Sequence, residues 1–294
     1  EQLRRTLSLF FILTAAFVHA SWNYLAKRSG GTAGFVWAYS VLSVAIYAPL
    51  AIFVLISQNI TLNPTQLLVI AASGLIHSCY FLALQQGYRI GDFSLVYPLA
   101  RGTGPMLSTT AAILFLGERP SWVAMGGAVL IVGGVFLLTW SATGGATPHA
   151  SGKPRSWAIG FGLLTGVLIA AYTLWDKNAV SALAIPPLVY ENFGDLSRAL
   201  ILSPIGLSRW DEVKREWREH RTQILGVALL SPLGYLLVLT AMVTTPVSYV
   251  APARELSILI GVVMGTRLLS EGDAHRRLAA AGAIVAGVIA LALG

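Results

Sequence analysis

Long apolar runs separated by brief polar joints dominate the chain. A bilayer core about 30 Å thick takes roughly 20 apolar residues of helix. Ten such stretches can be cut from the sequence: 5–27, 33–56, 66–88, 92–116, 119–140, 156–180, 186–208, 222–243, 246–269 and 272–293. Most joints are as short as Gly117-Glu118-Arg119-Pro120 or Thr244-Thr245-Pro246, so neighbouring helices are expected to form antiparallel hairpins. The longest joint, Ser141 to Arg155, is rich in Gly, Ala, Thr, Ser and Pro and reads as a linker. It divides the chain into a first unit, 1–140, and a second, 156–294, of five spans each.

The units repeat one another. Ser94-Leu95-Val96-Tyr97-Pro98-Leu99-Ala100-Arg101 returns as Ser248-Tyr249-Val250-Ala251-Pro252-Ala253-Arg254-Glu255, at an offset of about 154. At the same offset Tyr80 falls near Gly234 and Tyr235, and Glu118 near Glu271 after a one-residue gap. An odd number of spans per unit makes the units inverted relative to one another in the bilayer. The expected fold is therefore an all-α integral membrane protein, with ten transmembrane helices as two inverted five-helix repeats around a central cavity. Repeats of this kind are a mark of transporters working by alternating access.

Composition supports this and removes other classes. Hydrophobic residues make up 55% of 294 positions and charged residues 11%, against about 25% charged in soluble domains. The net charge of +7 resides in short loops without a basic-aromatic stripe, so no nucleic-acid partner is expected. The single cysteine, Cys79, lies in an apolar run, which leaves no disulfide framework. The first run is too long for a signal-peptide core and is read as a retained helix. No metal-ligand spacing, nucleophile elbow or nucleotide-binding loop appears, so no enzyme, no cofactor and no metal is expected, and transport would run on the substrate gradient or on protons. The expected partners are a small-molecule substrate and the lipid bilayer, with the chain itself a monomer. A joint at 209–221 carries Trp210, Val213 and Trp217 on one helical face among charges, and reads as an interfacial helix.

Polar residues inside spans need a reason, because a charge at the bilayer centre costs about 2.5–3.5 kcal/mol even on the lenient scale. His19, Trp22 and Asn23 share one face of the first span by their i, i+3, i+4 spacing. His77 and Tyr80 sit in the third span, Tyr97 and Arg101 in the fourth, Tyr172, Trp175, Asp176 and Lys177 in the sixth. Glu191, Asn192, Asp195 and Arg198 sit in the seventh, Arg254 and Glu255 in the ninth. The fifth and tenth spans are almost purely apolar and are expected to pack behind the others or to face lipid. Lys27 and Lys177 read as cations snorkelling to an interface, and Asp195 and Arg198, three apart, as a mutually neutralising pair. His19 and His77 are either proton carriers or neutral hydrogen-bond partners. Arg101 and Glu255 occupy equivalent places in the repeat, three residues after Pro98 and Pro252. Either they receive the carboxylate and ammonium of an amino acid, or they form a salt bridge, with each other or from Glu255 to Arg254 or Arg267. Pro98 and Pro252 each remove a backbone hydrogen bond and are expected to act as hinges.

With these residues the chain resembles the EamA branch of the drug/metabolite transporter superfamily over nearly its whole length. The resemblance rests on Trp22 and Lys27 near the end of the first span, Pro98 and Pro252 in the fourth and ninth, and Gly117-Glu118-Arg119 before a glycine-rich fifth span. Leu82-Ala83-Leu84-Gln85-Gln86-Gly87-Tyr88 followed by Tyr97-Pro98 is similar to the YddG type of amino-acid exporter within that branch. The resemblance implies export of amino acids, aromatic and other neutral ones, across a cell inner membrane, through a cavity lined by Trp22, His77, Tyr80, Tyr97 and Trp175. The alternatives are a drug or nucleotide-sugar carrier and an intramembrane enzyme. The second copy departs from the pattern: Ala251 stands where Tyr97 would repeat, and Ser270-Glu271-Gly272 replaces the Gly-Glu-Arg turn. An even number of spans puts both termini on one face. The excess of Lys and Arg on the opposite face would make that face cytoplasmic, whereas the family usually keeps its termini in the cytoplasm, so orientation stays open.

Overall fold

The computed structural model describes residues 2–28, 32–90, 93–140, 155–257 and 274–293, all in helices or the turns between them, with no strand among them. The helices are α1 (Gln2–Arg28), α2 (Ala33–Ser57), α3 (Pro64–Ile90), α4 (Phe93–Phe115), α5 (Trp122–Trp140), α6 (Arg155–Ser181), α7 (Pro187–Ser208), α8 (Trp210–Thr244), α9 (Val247–Ala253) and α10 (Ala274–Leu293). Among the described residues four segments are long and apolar enough to cross a membrane: Ala33–Ser57, Pro64–Leu84, Ser156–Ser181 and Trp210–Thr244. Their outer faces carry Phe53, Ile56, Leu68, Leu75, Val167 and Leu229, all exposed. Apolar side chains turned outward on long helices suit a lipid solvent.

The helix ends follow local chemistry. Asn63 and Gln66 exchange side-chain and backbone bonds at 2.9 and 3.0 Å, a reciprocal cap at the start of α3. Thr32 caps α2 by accepting from the Phe35 N–H at 3.1 Å. Gly117, at φ 66°, closes α4 with the left-handed turn that suits glycine. The Glu118 N–H then returns to Ala112 O at 3.2 Å, and the Glu118 side chain leaves toward α9.

Most of the packing is between helices far apart in the chain. Helix α1 lies against α8, α3 against α6 and α7, α2 against α7 and α8, α4 against α6, and α5 against α10. Two of these contacts are backbone-close. A Cβ on Gly104 would meet Ile169 of α6, and one on Gly166 would run into Thr103 of α4. A Cβ on Gly287 would reach Gly127 O, and one on Gly134 would reach Ala280 O, so α5 and α10 interlock through their small residues. Gly166 ends a Gly162-x-x-x-Gly166 spacing, the kind that lets two helix backbones approach closely; a similar spacing, Gly261 to Gly265, lies outside the described residues.

The turns α2–α3, α4–α5, α6–α7 and α8–α9 gather at one end. There the Gln66 amide donates to Leu183 O at 3.1 Å. The Glu118 carboxylate accepts from the N–H groups of Val247 and Ser248 at 2.8 and 2.9 Å, capping α9 from the other unit. The Lys177 Nζ reaches the carbonyl end of α8, donating to Met242 O at 2.6 Å and to Thr245 O at 3.1 Å. A cation and an anion thus hold the α8–α9 turn, each at the helix pole it suits.

The charged joint at 209–221 is helical and runs into α8, with a break at His220 (φ −128°, ψ 24°). Val213 and Glu216 are buried, while Trp210 and Trp217 are half exposed. Glu216 accepts from Thr32 Oγ1 at 3.0 Å and Glu212 from the Gly34 N–H at 3.1 Å. The segment therefore caps the start of α2 as well as presenting tryptophans outward.

A buried charged and aromatic site

The α9 helix is interrupted where its chemistry begins. Pro252 has no N–H to give to Ser248 O. Just beyond it the bonding tightens: the Glu255 N–H returns to Pro252 O at 3.0 Å and the Ser257 N–H to Arg254 O at 3.2 Å, both three residues back. Arg254 and Glu255 sit in this turn, and both are buried. Irregular backbone at this depth is expected only where it is enclosed by protein or lines a cavity.

Arg254 is held by α6 and α8. Its Nη2 donates to Tyr172 Oη at 3.2 Å and Nη1 to Thr173 Oγ1 at 3.5 Å. Its guanidinium carbon lies 5.8 Å from the Tyr172 ring centre and 5.6 Å from that of Tyr235, within cation–π range. Glu255 meets Arg101 of α4, Nη1 to Oε1 at 3.5 Å, both side chains nearly inaccessible at 2% and 7%. The salt bridge is thus formed, and by a long contact. Among the described residues Glu255 Oε2 is buried with no hydrogen-bond partner, an arrangement that costs about 1–3 kcal/mol unless something else fills it.

The neighbouring centre is Asp176 of α6, fully buried. Oδ1 accepts from Ser73 Oγ at 2.8 Å and Tyr190 Oη at 2.6 Å. Oδ2 accepts from His77 Nε2 at 3.0 Å and from Tyr235 Oη. Because both oxygens accept hydroxyl donors, the proton of the His77 contact belongs on Nε2. Four donors from α3, α7 and α8 thus converge on one carboxylate, which is what a buried charge requires. The rings close around it. His77 stacks on Tyr172 at 4.2 Å, and Tyr80 and Tyr235 meet Tyr172 edge-on at 5.5 and 6.2 Å. Tyr80 and Tyr235, near-equivalent in the repeat, flank the same ring.

The expected site residues separate in three ways. His77, Tyr80, Arg101 and Glu255 come together here, and Pro252 shapes the turn that brings them. His19 and Trp22 form their own contact, indole Nε1 to Nδ1 at 3.2 Å with the rings at 4.9 Å, and His19 lies within electrostatic reach of Arg101 and Arg254. Trp175 is not brought in: it is 39% exposed, and its indole donates to Val69 O at 2.9 Å. Asn23, Tyr97 and Pro98 lie on α1 and α4, but their side chains fall outside those described. Asp195 and Arg198 pair as expected, at 2.7 Å.

Sequence reasoning passed over Tyr172, Asp176, Arg254, Tyr190 and Tyr235 as site residues. A signal was present for three of them. Tyr172 and Asp176 are four apart on one face of α6, and Tyr235 is the near counterpart of Tyr80.

At the end where the α8–α9 turn lies, a separate crevice of about 650 Å³ opens between α1, α2, α7 and α8. Phe11, Val54, Leu236, Thr240 and Val243 line it, and its walls are mostly apolar.

Comparison with known proteins gives the chain its family. No curated protein matches the sequence. A crystal structure of another protein covers 99% of this chain and 98% of its own, with a TM-score of 0.73 at 15% identity, a likeness that speaks to the fold alone. The model of the EamA-like transporter family matches twice, over residues 6–140 and 156–293. Together the two matches span nearly the whole sequence, and the chain belongs to the EamA-like transporter family.

Proposed function

We propose that this membrane transporter is a secondary carrier that exports amino acids, aromatic and other neutral ones, or closely related small metabolites by alternating access. In this reading residues 1–140 and 156–294 are two inverted five-helix repeats joined by the linker 141–155. The two family matches bracket that linker. Several packing pairs also exchange when the halves are swapped: α1 with α8 corresponds to α6 with α3, while α2 with α7 and α5 with α10 map onto themselves.

The observation that carries the substrate reading is Glu255 Oε2, buried and without a hydrogen-bond partner among the described residues, beside the Arg101 and Arg254 guanidinium groups. A zwitterion answers both needs. Its ammonium satisfies the orphaned oxygen and its carboxylate bridges Arg101 and Arg254, while Tyr172, Tyr235, Tyr80, His77 and Trp22 supply apolar faces for its side chain. Tyr97 and Asn23 are assigned to the same site by position on α4 and α1, and Pro98 and Pro252 to its hinges.

A counterflow screen of labelled amino acids in proteoliposomes tests this. Exchange of neutral amino acids, lost in Glu255→Gln, is expected; no exchange of any amino acid would remove the substrate assignment. The apolar crevice beside α8 favours a second reading, carriage of drug-like amphiphiles, which the same liposomes distinguish by exchange of a lipophilic amine.

A further inference from the structure

We infer that the amphipathic segment at the start of α8 is a docking surface for anionic phospholipid, with Arg215, Arg218 and Arg221 as partners of the lipid headgroup and Trp210 and Trp217 set against the chains beneath it. The surface lies apart from the buried site and holds whatever substrate the carrier moves.

The depth of the segment is fixed by its bonds. Helix α2 is long and apolar enough to cross a membrane, and it begins at Ala33. At that start Glu216 accepts from Thr32 and Glu212 from the Gly34 N–H. Trp210 meets Trp37, one turn further along α2, with the rings edge-on at 5.9 Å. The segment therefore lies where α2 enters the bilayer. The break at His220 turns the chain from that level into the apolar run of α8. A helix held at this level has lipid phosphates for neighbours.

In sequence the stretch 209–221 is nearly balanced, with five basic residues and four acidic ones. The fold unbalances it. Glu212 and Glu216 turn inward to α2, and Glu216 is buried. Arg209 lies 3.8 Å from Glu212, and Lys214 lies 3.5 Å from Asp211. Arg215, Arg218 and Arg221 are exposed and form no ion pair among the described residues, which leaves Glu219 to oppose three arginines.

Helical spacing of about 100° per residue puts Lys214, Arg215 and Arg218 on the arc turned away from Glu216. Trp210 and Trp217 fall on the flank of that arc, each 46% exposed. An arginine fork matches the oxygens of a phosphate, and an indole suits the membrane–water interface. A soluble anion would use the arginines alone; a phospholipid uses both.

The test takes the full chain, stripped of lipid in a neutral detergent. Dioleoyl phosphatidylglycerol and dioleoyl phosphatidylcholine are offered in equal amounts, and bound lipids are counted by native mass spectrometry. Wild type is expected to retain the anionic lipid about fivefold or more over the zwitterionic one. Raising salt from about 0.1 M to about 0.5 M should reduce that preference by screening. Each basic residue near an anionic surface contributes roughly fivefold. Arg215→Gln, Arg218→Gln and Arg221→Gln combined should therefore lower affinity for phosphatidylglycerol about tenfold or more. The same three changed to Lys keep the charge and should keep most of the preference, which separates lost binding from a misfolded variant. Arg119→Gln, at an exposed position on the opposite end, should change nothing. Trp217→Ala is expected to weaken retention of both lipids alike.

Equal retention of the two lipids by wild type, or an unchanged preference in the triple glutamine variant, overturns the inference. An equal loss in Arg119→Gln also overturns it, because the preference would then follow net charge. Displacement of phosphatidylglycerol by millimolar inorganic phosphate would assign the arginines to a soluble anion, and unchanged retention in Trp217→Ala would take the indole out of the surface; either result removes the phospholipid as the occupant.

Discussion

Asp176→Asn is the substitution that weighs the buried centre most directly. The side chain keeps its shape, but one of its two acceptor oxygens becomes an NH₂ donor. Whichever way the amide is turned, that donor faces a pair of donors: Ser73 and Tyr190 on one side, or His77 and Tyr235 on the other. Two buried donors then lose their acceptor, at about 1–3 kcal/mol each, and the bonds that survive lose their charge assistance. The expected loss is about 2–6 kcal/mol. Tyr235→Phe or Tyr190→Phe removes one donor from a carboxylate that keeps three others, and a single interhelical hydrogen bond in a membrane protein is worth about 0.6–1.7 kcal/mol. Reversible unfolding in mixed micelles, read by tryptophan fluorescence, gives these differences. The order expected is Asp176→Asn well above either tyrosine variant, with Ser73→Ala equal to or below them. An Asp176→Asn variant as stable as Tyr235→Phe would refute the convergence of four donors on one carboxylate.

Other outcomes follow from the same contacts. Glu118→Ala frees two N–H groups at the start of α9 and is expected to cost about 1–2 kcal/mol in the same unfolding assay, as the loss of a helix cap does, with Glu118→Gln about half as costly. Gly166→Val puts side-chain bulk where α4 and α6 touch; overpacking of this kind costs about 1–3 kcal/mol, and the Thr103→Gly variant should recover part of it. Thr32→Val and Glu216→Ala each remove the Thr32–Glu216 bond, one of the two that tie the amphipathic segment to the start of α2, and faster proteolysis near His220 is the expected readout.

How legible this was in the sequence depended on the kind of signal. Apolar runs are long and their joints short, so most of the described helices follow hydropathy; the eighth run merges with the charged joint into Trp210–Thr244, and most of the ninth, 246–269, lies outside the described residues. The repeat sets Arg101 and Glu255 at equivalent places, and their mutual salt bridge is one of the readings the sequence leaves open. The charged joint was read as a helix from Trp210, Val213 and Trp217, but its hold on Thr32 and Gly34 depends on a distant helix end that no local pattern reports. Asp176 was harder. It stands beside Lys177 near the end of α6, where a charge has an ordinary interfacial explanation, and its four donors come from three other helices. Trp175, which the family resemblance implied for the cavity, turns outward beside Asp176, because adjacent positions lie about 100° apart around the helix axis. Lys177 has the same lesson, since only the fold shows that the open carbonyls of α8 lie within its reach.

If the buried site recognises a zwitterion, Glu255 takes the ammonium and the two arginines the carboxylate. Uptake of phenylalanine, of 3-phenylpropionate and of phenethylamine into proteoliposomes, compared at one pH, tests it. The first carries both charges, the second only the anion and the third only the cation. Transport of phenylalanine at least tenfold above either analogue, abolished by Glu255→Gln, is the result this account predicts; equal transport of phenylalanine and phenethylamine would contradict it.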